Sequence, residues 1–229
     1  MIYYDENGNI RIINKGRRFY QVTDDNDIER IKSSRIYDGI YRLREDKCIK
    51  MLDDGHNVDI DLMKTVRELR IEGLYQLREF LFDREDNFRA YMMDYYKKEN
   101  IDFFSQQVDY TIYNYLKLER AMIRLGDNSI CVNDLHDGNV ILNDQDIVLI
   151  DIDNYYWGNK EKKEEIKRYN LNRLRELFVD LYKVDLWYYY GDYKDVNDKI
   201  DEVFTSSDRM IKTLSKYKYP GEYFLKWKK

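Results

Sequence analysis

The sequence predicts an α+β protein in two lobes: antiparallel strands with one helix over residues 1–93, then a reduced, mostly helical part over residues 94–229. Three observations predict it. Paired apolar runs flank polar turn segments three times before residue 94, and long stretches with helical apolar spacing dominate after it. Between those stretches lies one more short apolar hairpin, framed by Asp134, Asn139 and Asp151.

The first pair is Ile2 to Tyr4 and Ile10 to Ile13 around Asp5, Glu6, Asn7, Gly8 and Asn9, a turn composition that favours a hairpin. Residues 25–33 read as a short helix or a loop. The second pair is Ile40 to Leu43 and Lys47 to Leu52, around Arg44, Glu45 and Asp46. Residues 59–73 have Ile60, Met63 and Val66 on one helical face and end near Gly73. The third pair is Leu77 to Phe82 and Phe88 to Met93, around residues 83–87. A helix over 104–126 then feeds the short apolar run Ile130 to Val132. Beyond residue 153, helices are expected near 161–183 and 195–216, followed by an aromatic tail.

The stretch VNDLHDGNVILNDQDIVLIDID, residues 132–153, carries the chemistry. Val140 to Leu142 and Ile147 to Ile150, separated by Asn143, Asp144, Gln145 and Asp146, read as a tight hairpin. A hairpin returns the chain to its start, so Asn139 and Asp151 come to one end of it. Phosphoryl transfer needs one carboxylate to orient an attacking hydroxyl, and an Asn and a second Asp to hold Mg²⁺ on the phosphates. Asp134, Asn139 and Asp151 are the residue types for those roles, and Mg²⁺ takes hard oxygen ligands of this kind. Alone, an Asp before a strand is an ordinary turn residue; the combination is what gives the motif weight.

Here the chain resembles the protein-kinase-like superfamily, whose catalytic loop reads HRDLKxxN and whose metal turn reads DFG. The loop 132–139 carries Asp134, Leu135, His136 and Asn139, a form similar to the aminoglycoside and choline phosphotransferase branch and to atypical bacterial kinases. The metal turn 151–153 keeps the first residue, Asp151, and has Ile152 and Asp153 in the other two places. The resemblance implies ATP and Mg²⁺ as cofactors, Asp134 as the base, and Asn139 and Asp151 as metal ligands; Asp153, two residues past Asp151, would face the same side on a strand and is a further metal candidate. It implies Lys50, in Cys48-Ile49-Lys50, as the ligand of the α- and β-phosphates; read from position alone, Lys50 is a lysine on the solvated face of a half-buried strand. The helix at 59–73 takes the place of αC, with Glu68 as the partner of Lys50 ahead of Asp61 and Glu72. Residues Met93, Asp94 and Tyr95 take the hinge that receives adenine.

Departures from the pattern carry their own implications. Residues 34–39 keep only Gly39 of the glycine-rich loop, which implies altered phosphate contacts. Asn133 stands where regulated kinases have arginine, so a phosphorylated activation loop is not the expected switch. His136 replaces a lysine that contacts the γ-phosphate. Residues 95–133 have no room for the helical insert that builds an aminoglycoside pocket, which favours a Ser/Thr hydroxyl on a protein as acceptor. A small-molecule kinase, and a pseudokinase acting as a binding module, are the alternatives.

Composition bounds the rest. The chain has 229 residues, 43% of them hydrophobic, enough for a core. The 39 basic and 44 acidic residues are interspersed at net charge −5, which argues against nucleic acid or an anionic membrane as the main partner. No apolar run approaches a membrane span and no signal peptide opens the chain, so a cytoplasmic location is expected. Cys48 and Cys131 sit in apolar runs, where a thiol acts as a small hydrophobe; no disulfide or zinc site is expected. His56, in a turn-like segment, is assigned to solvent.

Overall fold

The computed structural model describes residues 2–15, 19–22, 26–30, 40–42, 47–52, 58–99, 101–190 and 196–227. The fold is α+β, and the chain divides into two compact units. One comprises Met1–Arg70 and Tyr75–Tyr96, the other Ile71–Leu74 and Lys97–Lys229.

The first unit contains strands β1 (Ile2–Tyr4), β2 (Ile10–Lys15), β3 (Phe19–Val22), β4 (Asn26–Arg30), β5 (Ile40–Arg42), β6 (Lys47–Met51), β7 (Leu77–Phe82) and β8 (Phe88–Asp94), with helix α1 (Ile60–Leu69) between β6 and β7. The strands pair antiparallel in the order β1-β2-β3-β4-β5-β6-β8-β7, and Tyr4 opposite Phe82 closes the barrel. All three expected hairpins pair, with Ile2 opposite Ile12, Ile40 opposite Lys50, and Phe82 opposite Phe88. Residues 26–30 form a strand rather than a helix or a loop, because every residue of β3 finds a partner in β4, from Phe19 opposite Glu29 to Val22 opposite Asn26. Tyr3, Ile49, Leu81, Ala90 and Met92 form a buried cluster with Met51 against it.

Two barrel turns are built alike. Asp5 accepts from the amides of Asn7 and Asn9 at 2.9 and 2.8 Å, and Asp83 from those of Glu85 and Asn87 at 2.8 and 2.9 Å. The Asn9 and Asn87 side chains each donate back to the same carboxylate. Arg89 and Asn87 hold the Asp83 carboxyl well below the usual range. The fourth residue of each turn has positive φ: Gly8 at 78° and Asp86 at 59°. Only the first turn has the residue that suits this backbone. Asp86→Gly is therefore expected to stabilise the protein by about 0.5 kcal/mol, the left-handed cost of an L-residue exceeding the added chain entropy of glycine. Chemical denaturation measures it, and a lowered midpoint would contradict it.

Helix α1 starts where Asp59 accepts from the Leu62 amide at 2.9 Å, and it buries Leu62, Met63 and Val66. It stops at Arg70, whose φ of 46° ends the helical path, so the helix is shorter than the expected run to Gly73.

The second unit contains α2 (Val108–Asp127), β9 (Ile130–Cys131), β10 (Val140–Leu142), β11 (Ile147–Leu149), β12 (Tyr156–Trp157), α3 (Lys163–Tyr190), α4 (Val196–Val203), α5 (Ser207–Leu214) and α6 (Pro220–Trp227). Residues 103–105 form a separate 3₁₀ turn, and Gln107, in extended conformation, starts α2 later than the spacing predicts. Phe103, Tyr115, Phe178, Tyr182 and Phe204 are buried together, with ring centroids 4.8 to 5.5 Å apart in the tightest pairs. The helix expected over 195–216 is two helices, because extended Ser206 caps α5 by accepting from the Arg209 amide. The tail is helical from Pro220, whose fixed φ suits a first turn. Among the described residues no helix is long and apolar enough to cross a membrane. Cys48 and Cys131 are free and buried.

Candidate active site

Strand β9 delivers the chain to the 132–139 loop, and a buried asparagine from α3 fixes its position. Asn170, 0% exposed, accepts from the Val132 amide at 2.9 Å and donates to the Ile130 carbonyl at 2.9 Å and the Met122 carbonyl at 3.3 Å. On the other side β9 pairs with β12, Cys131 opposite Tyr156. Asp134 thus follows a segment held from both sides, and its own φ is 54°.

The side chains after Asp134 close on it. Asn139 donates through Nδ2 to the Asp134 main-chain oxygen at 2.7 Å and to its Oδ2 at 3.4 Å. Asn154 donates to the same Oδ2 at 3.2 Å. His136 accepts from the Gly138 amide through Nδ1 at 3.0 Å, so its Nε2 lies 3.7 Å from Asp134 Oδ1. A Cβ at Gly138 would sit 2.7 Å from His136 Cε1, so this ring position depends on glycine there.

The β10–β11 hairpin forms in the expected register, Val140 opposite Leu149 and Leu142 opposite Ile147. The Ile150 amide donates to the Asn139 carbonyl at 3.0 Å, so the residue before Asp151 is tied to Asn139. Asp151 has φ 67°, and the next three residues form a 3₁₀ turn. Strand alternation, the reason for setting Asp153 beside Asp151, therefore does not apply, and Asp153 is buried. Tyr155 follows with its hydroxyl buried and, among the described residues, without a hydrogen-bond partner; burial, then the Asp151 carboxylate, push its pKa up.

Three residues of α2 clamp the hairpin turn from one helical face. The Tyr110 hydroxyl donates to the Asn143 and Asp146 carbonyls at 3.0 and 3.2 Å, and Asn114 accepts from the Ile147 amide at 2.9 Å. Lys117, its side chain 0% exposed, donates to the Ile147 carbonyl at 3.0 Å and pairs with Asp146. Burial pushes the Lys117 ammonium down to about 8, against the opposing pull of Glu72. The 71–74 segment backs the same place: the Leu149 amide donates to the Gly73 carbonyl at 2.8 Å. Gly73 has φ 89°, and a Cβ there would lie 2.7 Å from Leu118.

In the first unit, Lys50 lies in β6 and is only 7% exposed, so the solvated-face reading does not hold. Glu68 and Asp61 are on the exposed side of α1. Glu72 belongs instead to the second unit, where it accepts from the Tyr113 hydroxyl. Met93 and Asp94 end β8, and Tyr95 follows. Asp94 is a bidentate partner of Arg78 at 2.5 and 2.8 Å, its amide donates to Gln76, and its carbonyl accepts from the Cys48 thiol at 3.7 Å. Gly39, with residues 34–38, and His56 lie outside the described residues.

Asn154, Asn170, Tyr110, Asn114 and Lys117 are absent from the sequence reading. Asn170 had a signal: it occupies the apolar stripe of α3 with Ile166, Leu174 and Leu177, where a polar residue must find partners. Asn114 and Lys117 share such a stripe with Leu118 and Ala121. Asn154 had none, because its partner stands twenty positions away.

Among the described residues, no group of three or more His, Cys, Asp and Glu side chains is arranged to hold a metal ion. No family model and no curated protein matches the chain. Among solved structures it is similar to the kinase PK-1 of Cydia pomonella granulovirus, at TM-score 0.49 and 14% identity over 76% of this chain and 72% of that one.

Proposed function

We propose that the chain is an ATP- and Mg²⁺-dependent phosphotransferase whose acceptor is a Ser/Thr hydroxyl on a protein. The observation that carries the reading is the hydrogen-bonded group of Asp134, Asn139 and Asn154 beside a hairpin whose end ties Asn139 to the residue before Asp151. Asp134 is the base: it orients the acceptor hydroxyl and takes its proton as the oxygen attacks the γ-phosphorus and the ADP oxygen leaves. Asn139 spends Nδ2 on Asp134, which leaves Oδ1 as its ligating atom, and Asp151 adds a carboxylate. These two hard oxygen donors fit Mg²⁺, which keeps several waters and takes phosphate oxygens. Bound there, the ion would neutralise charge on the phosphates. Asp153 is assigned to the second shell of that ion.

Lys50 is assigned to the α- and β-phosphates, since a buried ammonium suits an anionic ligand better than an apolar core. Glu68 remains its candidate partner, and the main chain at Met93 and Tyr95, with Gly39 in the phosphate loop, completes the nucleotide assignment; the Asp94 amide is already committed to Gln76.

Calorimetric titration with ATP, with and without Mg²⁺, tests nucleotide use, and incubation with labelled ATP and a cell lysate tests the acceptor. Mg²⁺-dependent binding and label on protein are expected. Absence of ATP binding would leave a binding module, and label confined to small molecules would replace the acceptor class.

A further inference from the structure

Asp134 is a carboxylate whose orientation the reaction depends on, and a loop residue at positive φ does not orient itself. Its Oδ2 receives two amide donors of different origin. Asn139, in its own loop, reaches it at 3.4 Å, and Asn154, from the turn that begins at Asp151, reaches it at 3.2 Å, the shorter of the two. Asn139 also has another acceptor at 2.7 Å, the Asp134 main-chain oxygen, so its amide is shared. The described bond of the Asn154 amide is to the carboxylate. Asn154 also closes the 3₁₀ turn Ile152–Asn154, whose first carbonyl accepts from the Tyr155 amide at 3.0 Å. One side chain therefore joins the base to the turn that carries the metal-ligand candidate.

We infer that Asn154 is a positioning residue of the transfer reaction: its Nδ2 holds the Asp134 carboxylate by Oδ2 and leaves Oδ1 for the acceptor hydroxyl. The inference rests on the assignment of Asp134 as the base. In this role Asn154 acts on the rate through Asp134, which it holds at 3.2 Å. His136 Nε2, at 3.7 Å from Oδ1, borders the side on which the hydroxyl would enter.

The test compares Asn154→Ala, Asn154→Asp, Asp134→Ala and the double variant Asn154→Ala/Asp134→Ala in labelled-phosphate transfer from Mg²⁺-ATP. Asn154→Ala is expected to lower kcat by about 10- to 100-fold, the scale of a misplaced catalytic group, with the KM for ATP unchanged. Asn154→Asp, nearly isosteric but without the donor and with a like charge, is expected to fall at least as far. Adding Asn154→Ala to Asp134→Ala is expected to change nothing further, which a merely structural role would not produce. Thermal unfolding of each variant separates loss of fold from loss of orientation. A wild-type kcat in folded Asn154→Asp, or full additivity with Asp134→Ala, would overturn the inference. If Asp134→Ala itself transfers at the wild-type rate, the assignment of the base fails instead, and the inference with it.

Discussion

Asp151→Ala is expected to lower phosphoryl transfer by about 10³-fold, since a bound metal ion supplies several kcal/mol of charge stabilisation and each 1.4 kcal/mol is tenfold in rate. The variant should keep its fold. Asp151 has φ 67°, a backbone that alanine adopts less readily than aspartate, so a modest fall in stability accompanies the loss of the carboxylate. What identifies the role is the metal dependence of binding. Calorimetry should show that added Mg²⁺ no longer strengthens ATP binding, while binding in the absence of Mg²⁺ persists. If Mg²⁺ strengthens ATP binding as much in the variant as in wild type, Asp151 is not a ligand. Asn139→Ala should act in the same direction and also free the Asp134 main-chain oxygen, so its effect on transfer combines two causes.

Asn170→Leu is expected to cost about 1–3 kcal/mol of stability, because it leaves the buried Val132 amide without its acceptor. The Val132 amide loses its acceptor, and the Ile130 and Met122 carbonyls lose a donor. Leucine fits the apolar stripe of α3, so the cost is one of hydrogen bonding more than of volume. Asn170→Asp keeps the acceptor for Val132 but removes both donations and buries a charge, so it should be no less destabilising. Asp134 lies two residues beyond Val132, so transfer should fall together with stability. Chemical denaturation followed by circular dichroism gives the stability. A loss below about 1 kcal/mol for Asn170→Leu would mean that the loop is held by something other than this side chain.

Much of the fold was legible because the sequence carries the same message at two levels. Val140–Leu142 and Ile147–Leu149 are apolar runs of strand length with turn residues between them, and they pair in the register the spacing requires. Asp59 before an amphipathic run marks the start of α1 for the same reason. Residues 26–30 were not legible: nothing in Asn26, Asp27, Glu29 and Arg30 favours a strand, and pairing with β3 overrides local preference. Ser206 splits a run that reads as one helix, because a cap competes with helix continuation through a side-chain bond.

The candidate site divides the same way. The acidic and amide residues at 134, 139 and 151 carry their signal in spacing along the chain. Asn154, Lys117 and Asn170 act on partners between 20 and 48 residues away, which spacing does not reveal. Asp153 was read on strand periodicity, and the chain there is a 3₁₀ turn, a conformation that the αL start at Asp151 introduces and that no apolar pattern marks.

Transfer of labelled phosphate from Mg²⁺-ATP by Asp134→Asn, set beside wild type, tests the central claim most directly. Asparagine keeps the shape of the side chain and removes its ability to take a proton. A rate lower by about 10²–10⁴-fold, with Mg²⁺-ATP binding intact, is the expected result. Transfer at the wild-type rate would contradict the assignment of Asp134 as the base.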